Sequence, residues 1–255
     1  MSVARNRIHG VHFKRDDGTP NLKTLRETNS VRWLKLRSLR DLRSVAGRLV
    51  AAKSRYELVA KRTGVPWAVI AVIHERESSQ SWSASLAQGD RWDRVSVHVP
   101  AGRGPFASWE EAAVDALVNC PPYAARWRDW TIGGALTLLE HYNGLGYARR
   151  GVPSPYIWAG TDQYRSGKYV RDGVYDPLAI DRQPGCAGLL KAMMAIDPSI
   201  SFVSDGEETL EPRPPTGPPT SSPASISHPE KGSIGALFAA LVKRIFGRRQ
   251  GGIGG

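Results

Sequence analysis

Cysteine is nearly absent: Cys120 and Cys186 are the only two in 255 residues. Two thiols build neither a disulfide framework nor a cysteine-based metal cluster; they either pair with each other or remain buried and free. No run of 18 or more apolar residues occurs, so no bilayer-spanning helix is expected. The stretch from Met1 to Arg15 lacks the apolar segment of a secretion signal. Action outside the cytoplasm would therefore need another export route, the chain staying cytoplasmic until released. There is no internal repeat, and no helix-turn-helix, zinc-finger or RNP signature, so no specific nucleic-acid partner is expected. His74-Glu75 begins like the zinc motif H-E-x-x-H, but position 78 is Ser and the second ligand is missing. No metal and no cofactor is expected.

Apolar residues make up 41% of the chain, enough for a core, and eight Trp and eight Tyr are present. The net charge of +11 is unevenly spread. Residues 1–60 hold 14 basic and 5 acidic side chains, and residues 230–255 hold 5 and 1; between them the balance is close to neutral. Basic ends suit a polyanionic partner such as an anionic membrane, a nucleic acid or a cell-wall polymer, and suit a merely solvated surface equally well.

Residues 1–30 are polar and read as an arm or a loosely docked segment. From Trp33 to Leu49, Leu36, Leu39, Leu42, Val45 and Leu49 recur at helical spacing. A second helical run ends near Arg62, with Gly64 as its stop. The next helix runs from Pro66 to about Ser78, and Trp67 to Ile73 is apolar on every side, the mark of a buried helix. Val95, Val97 and Val99 alternate with polar residues in a glycine-punctuated stretch over 79–107, which predicts a short hairpin or β-lobe. Ser108-Trp109-Glu110-Glu111 is a capping box that opens a helix ending before Pro121-Pro122. Further helices are expected over Trp130–Tyr142 and from Pro184 to Asp197-Pro198. Seven prolines among residues 204–229 mark a linker. After it, Ile234, Leu237, Phe238, Leu241, Val242, Ile245 and Phe246 form one helical stripe beside Lys243, Arg244, Arg248 and Arg249. The expected division is a basic arm and helix (1–47), a catalytic domain (48–203), the linker, and a basic amphipathic helix with a Gly-rich tail (230–255).

The chemistry concentrates where the apolar helix ends in His74-Glu75-Arg76-Glu77-Ser78-Ser79. Desolvation disfavours an ionised carboxylate, and a general acid near neutral pH needs that bias. Glu75 and Glu77 stand roughly 200° apart around a helix, so only one easily faces a given cleft. Glu77, last before the chain leaves the helix and beside two serines, is preferred. A solvated, salt-bridged helix end is the ordinary alternative. A second carboxylate is expected from Asp90, aimed by the turn at Gly89, with Asp93 its competitor. Near Glu140-His141-Tyr142-Asn143-Gly144, polar and aromatic groups gather at a helix end, followed by Tyr147, Pro155-Tyr156-Ile157-Trp158, Tyr164 and Tyr169. Such surfaces suit sugars, although single aromatics more often build cores.

These pieces resemble the lysozyme superfamily. The stretch from Pro66 to Ser79 resembles the first catalytic motif of lytic transglycosylases and goose-type lysozymes, in which an apolar helix ends in Glu-Ser and the Glu is the catalytic acid. Trp82 falls near an aromatic position of that family, and Tyr142-Asn143 looks like its Tyr-Asn motif. Gly89-Asp90, Val99-Pro100-Ala101-Gly102-Arg103, Asn143 to Tyr147 and Ser154-Pro155-Tyr156 resemble phrases of bacterial and phage lysozyme-family proteins. The Gly-Leu-Met-Gln segment usual in lytic transglycosylases is replaced by Gly102-Arg103-Gly104-Pro105.

The resemblance implies a mainly α (α+β) lysozyme-like domain with a small β-hairpin lobe. It implies cleavage of the β-1,4 bond between N-acetylmuramic acid and N-acetylglucosamine at the cell wall. Glu77 would be the acid, Asp90 the base or electrostatic support, and Ser78, Trp82, Tyr142, Asn143, Tyr147 and Trp158 the substrate-binding residues. Peptidoglycan is then the partner of a monomer, and residues 234–249 would reach an anionic membrane or dock on the globule or another protein. The alternative is a non-catalytic wall-binding or phage structural protein that keeps the fold.

Overall fold

The computed structural model describes residues 20–203. The expected linker and the basic amphipathic helix lie outside the described residues. Chain order begins with α1 (Leu22–Lys35), α2 (Arg43–Ala51), α3 (Lys53–Thr63) and α4 (Trp67–Ser78). A long irregular segment leads to α5 (Trp109–Asn119), then to α6 (Ile132–Tyr142), α7 (Gly146–Arg150) and α8 (Pro155–Trp158). Strands β1 (Lys168–Arg171) and β2 (Val174–Asp176) precede α9 (Cys186–Ile196). Among the described residues the fold is therefore mainly helical, with one antiparallel two-stranded sheet that pairs Tyr169 with Tyr175.

Helix α4 is the axis of the core. Every residue from Ala68 to Arg76 is buried, and the helix packs on α2, α3, α6 and α9. Its apolar circumference requires neighbours on all sides. Local signals set several boundaries. Gly64 ends α3 in the left-handed region at φ 73°, where a side chain would be disfavoured. Ser108 accepts from the Glu111 amide to open α5, while the Glu111 carboxylate accepts from the Ala107 amide, one residue earlier than in the usual capping box. Thr131 caps α6 through the Gly134 amide.

Four expectations about the fold need correction. The helix read across Trp33–Leu49 is broken at residues 36–42, where backbone bonds run instead to Asp162 and Gly160. The leucine spacing survives the break because Leu36 and Leu42 enter the core while Leu39 stays exposed. The polar arm is an ordered helix from Leu22 onward: α1 packs on α6, with Asn29 Nδ2 donating to Thr137 Oγ1 at 3.1 Å and Arg26 Nε donating to Asp129 at 2.6 Å. The boundary expected at 47/48 falls inside α2, whose Ala46 joins the same core as α4.

The hairpin is also elsewhere. Residues 95–99 form no strand; Val95, Val97 and Val99 are exposed, so alternation there reflects no buried face. Pro100 and Pro105 supply no amide for a ladder in this stretch. The hairpin is β1–β2, docked through a cluster of Tyr147, Tyr169 and Tyr175 whose rings meet edge to face.

The chain enters α9 under a tight steric limit. A Cβ on Gly185 would lie 2.4 Å from the Ile157 carbonyl oxygen and 2.6 Å from the Ala159 nitrogen. Gly185→Ala is expected to lower stability by about 1–3 kcal/mol through this overpacking, read as a lower thermal midpoint; an unchanged midpoint would show that α8 and α9 can separate freely.

Candidate active site

Helix α4 delivers two glutamates to different surroundings. Glu75 is buried, 3.8 Å from Arg48 of α2, and its Oε2 has no hydrogen-bond partner. Burial raises its pKa, opposed by Arg48 and Arg76. Glu77 is half-buried at the end of the helix, and its Oε1 accepts a 2.9 Å hydrogen bond from the Tyr156 hydroxyl of α8. Two positions along one helix thus separate a core carboxyl from one at the margin.

Glu77 stands where four helices converge. Its negative charge pushes up the pKa values of Tyr142, Tyr156 and the Cys186 thiol, in each case secondary to burial. These residues belong to α6, α8 and the start of α9. Just beyond Glu77, Ser79 and Gln80 both take left-handed backbone angles, φ 53° and 58°. Consecutive non-glycine residues there store about 1–3 kcal/mol each. The turn is held by Gln80 Nε2, which donates to the Arg48 carbonyl and the Tyr56 hydroxyl.

Arg76, between the two glutamates, fixes the far wall. It is buried, pairs with Asp181 at 3.0 Å, donates to the carbonyls of Gln183 and Pro184, and lies 4.7 Å from the Tyr156 ring centre. The ring that holds Glu77 is therefore itself backed by a buried ion pair. The sequence alone assigns neither residue this role: Tyr156 stands in the aromatic run Pro155-Tyr156-Ile157-Trp158 and in Ser154-Pro155-Tyr156, and Arg76 only in a helix end read as solvated and salt-bridged.

The other expected site residues divide. Tyr142 comes near Glu77, and its hydroxyl donates to the Leu86 carbonyl at 3.2 Å, tying α6 to the irregular segment. Asn143 is half-buried at the end of α6. Ser78 turns its hydroxyl back to the His74 carbonyl and so gives Glu77 no support. Trp82 packs with Tyr56, His74 and Trp109, under the guanidinium of Arg55 at 3.9 Å. Tyr147 is buried beneath the hairpin and accepts from the Tyr169 amide. Trp158 is 1% exposed and belongs to the core, which corrects its expected cleft role. His74 bonds Tyr56 and the Ser81 carbonyl inside the aromatic cluster.

Asp90 organises the irregular segment. One oxygen accepts from the amides of Val97 and His98 at 2.9 and 3.0 Å, and the other meets His98 Nδ1 at 2.6 Å. Partial burial opposes ionisation, but the His98 and Val97 bonds outweigh it and hold Asp90 below the ordinary carboxylate range. Asp93, its competitor, is exposed and pairs with Arg91. Cys120 and Cys186 are both free and buried.

Tyr156→Phe is expected to keep the fold and to reduce any activity that depends on Glu77 by about fivefold to tenfold, the worth of about 1–1.5 kcal/mol for one hydrogen bond. Initial rates on purified substrate at matched folded concentration check this; full activity would remove Tyr156 as a positioning residue. No family model, curated protein or solved structure matches this chain.

Proposed function

We propose that this protein cleaves the glycan strand of peptidoglycan, with Glu77 as general acid. The observation that carries the reading is a half-buried carboxyl group at the end of a helix buried from Ala68 to Arg76, gripped by the hydroxyl of Tyr156. In this reading Glu77 gives its proton to the bridging oxygen, the bond to the muramic acid anomeric carbon breaks, and an oxocarbenium-like centre develops. The Glu77 carboxylate then takes a proton back from the incoming nucleophile, either water or the sugar's own 6-hydroxyl. Tyr142 and Asn143 line the approach from α6.

The engagement of both Asp90 oxygens with Val97 and His98 supports the intramolecular outcome, a 1,6-anhydro product, over one needing a second carboxylate to activate water. Digestion of purified peptidoglycan followed by mass spectrometry tests this. Anhydro-muropeptides are expected. Products with new reducing ends would return Asp90 to the role of base, and intact glycan with cut peptides would overturn the reading. The expected actions of residues 234–249 on an anionic membrane and of the chain as a monomer belong to this proposal, testable by vesicle binding and by sedimentation.

A further inference from the structure

Residues 37–40, 160–167 and 177–182 form a surface that the chemistry at Glu77 does not use. Backbone bonds join the three segments: the Leu39 amide donates to the Gly160 carbonyl at 2.9 Å, the Asp162 amide to the Arg37 carbonyl at 3.0 Å, and the Gly167 amide to the Ala179 carbonyl at 2.8 Å. Leu39, Leu178 and Ile180 stand on this framework at 66%, 82% and 61% exposure. A single exposed aliphatic side chain is ordinary. Three of them on joined segments form the kind of surface that meets a partner. The fold holds them outward. Asp181 is buried against Arg76 at 3.0 Å, which leaves its neighbours Ile180 and Arg182 turned to solvent. Leu178 is displayed on a turn in which Asp176 Oδ1 accepts from the Leu178 and Ala179 amides at 2.8 and 3.3 Å. The charged groups beside them are mostly arginines. Arg37, Arg40, Arg165 and Arg182 are all exposed. Arg40 lies across Gly160, where a Cβ would come within 2.7 Å of its Nε, and donates to the Arg182 carbonyl at 2.7 Å. Arg37 pairs with Asp162 at 3.6 Å, whereas among the described residues no carboxylate pairs with Arg40, Arg165 or Arg182.

We propose that this face docks on an anionic lipid surface, its arginines meeting lipid phosphates while Leu39, Leu178 and Ile180 enter the acyl boundary. Charge selects this occupant. A second copy of the chain brings the same sign, +11 over the whole sequence, and is repelled. A nucleic acid would satisfy the guanidinium groups through its phosphates but leave the aliphatic side chains in water. An anionic bilayer offers phosphate acceptors for arginine forks and, within about 5–10 Å, an apolar layer for the leucines and isoleucine. The face is separate from residues 234–249 and requires no activity at Glu77.

The test is co-sedimentation of the full chain with vesicles of equal parts phosphatidylglycerol and phosphatidylcholine, against vesicles of phosphatidylcholine alone. A preference of at least about tenfold for the anionic vesicles is expected, falling as salt is raised. Leu178→Ser combined with Ile180→Ser, both at exposed positions, should weaken anionic-vesicle binding at least about fivefold, and Arg165→Gln combined with Arg182→Gln should do the same. Residues 234–249 would contribute to total binding under the role given them above, so a local probe reads the face itself. A nitroxide is placed on Leu178→Cys; Cys120 and Cys186 are buried, which directs the label to the introduced thiol. On anionic vesicles that label should become shielded from a water-soluble relaxant. A label as accessible on vesicles as in solution would overturn the proposal, whatever the total binding. So would binding that survives the two serine changes in full but is lost with the two glutamine changes, because the face would then read charge alone.

Discussion

Under the proposed glycan-cleaving reading, Glu77→Gln is expected to abolish wall lysis. The substitution keeps volume and the acceptor for Tyr156 but removes the transferable proton, so the loss is the whole general-acid contribution, about 10²- to 10⁴-fold. At 1.36 kcal/mol per tenfold, that is about 2.7–5.4 kcal/mol of transition-state stabilisation. The melting midpoint should barely move, because Glu77 sits at the margin of the core. Glu75→Gln is the paired control. Its carboxyl is buried toward α2, where one oxygen faces Arg48 at 3.8 Å without a hydrogen bond, so this variant should retain rate within a few-fold. Release of soluble muropeptides from purified walls reads both. If Glu77→Gln lyses at the wild-type rate, the catalytic assignment fails; if Glu75→Gln alone is inactive, the acid is the wrong one of the two.

Asp181→Asn should cost more stability than any surface change. The Arg76–Asp181 pair has side chains only 4% and 7% exposed, and removing one partner leaves a buried charge uncompensated, a loss of about 3–5 kcal/mol. For a domain this size the thermal midpoint would fall by about 6–20 °C. Arg76→Met combined with Asp181→Leu should recover most of the loss, since a buried pair is often replaceable by apolar packing. The same pair sets a pH dependence. Burial alone would raise the Asp181 pKa, but Arg76 and Lys168 outweigh it and the net shift is downward. The folded carboxyl therefore binds its proton less readily than the unfolded one. Its stabilisation is complete above the unfolded value, about 3.9, and disappears as pH falls through the lower folded value. Melting midpoints of wild type and Asp181→Asn should converge in acid. A gap that persists at the lowest pH would remove the ion pair as its cause.

How far the sequence foretold this molecule depends on where each signal resides. The ends of α3, α5, α6 and α9 were legible because caps and stops act over three or four residues: Gly64, Ser108 with Glu111, and the prolines at 121 and 198. Helix α4 was legible because an all-round apolar surface has one stable environment. Helix α1 was not, because its buried Asn29 makes polar contacts with α6, and such faces carry no periodic apolar pattern. The valines at 95, 97 and 99 misled for the converse reason, since alternation records a strand only when one face is covered.

The sequence by itself determined a mainly helical chain built around one apolar segment that ends in two glutamates. Only the tertiary structure decided which glutamate meets Tyr156, that Trp158 is core, and that Asp90 holds a loop. A residue's role depends on what stands opposite it. Tyr156, Arg48 and Asp181 come to α4 from distant parts of the chain, and their approach is set by the packing of whole helices rather than by local preference.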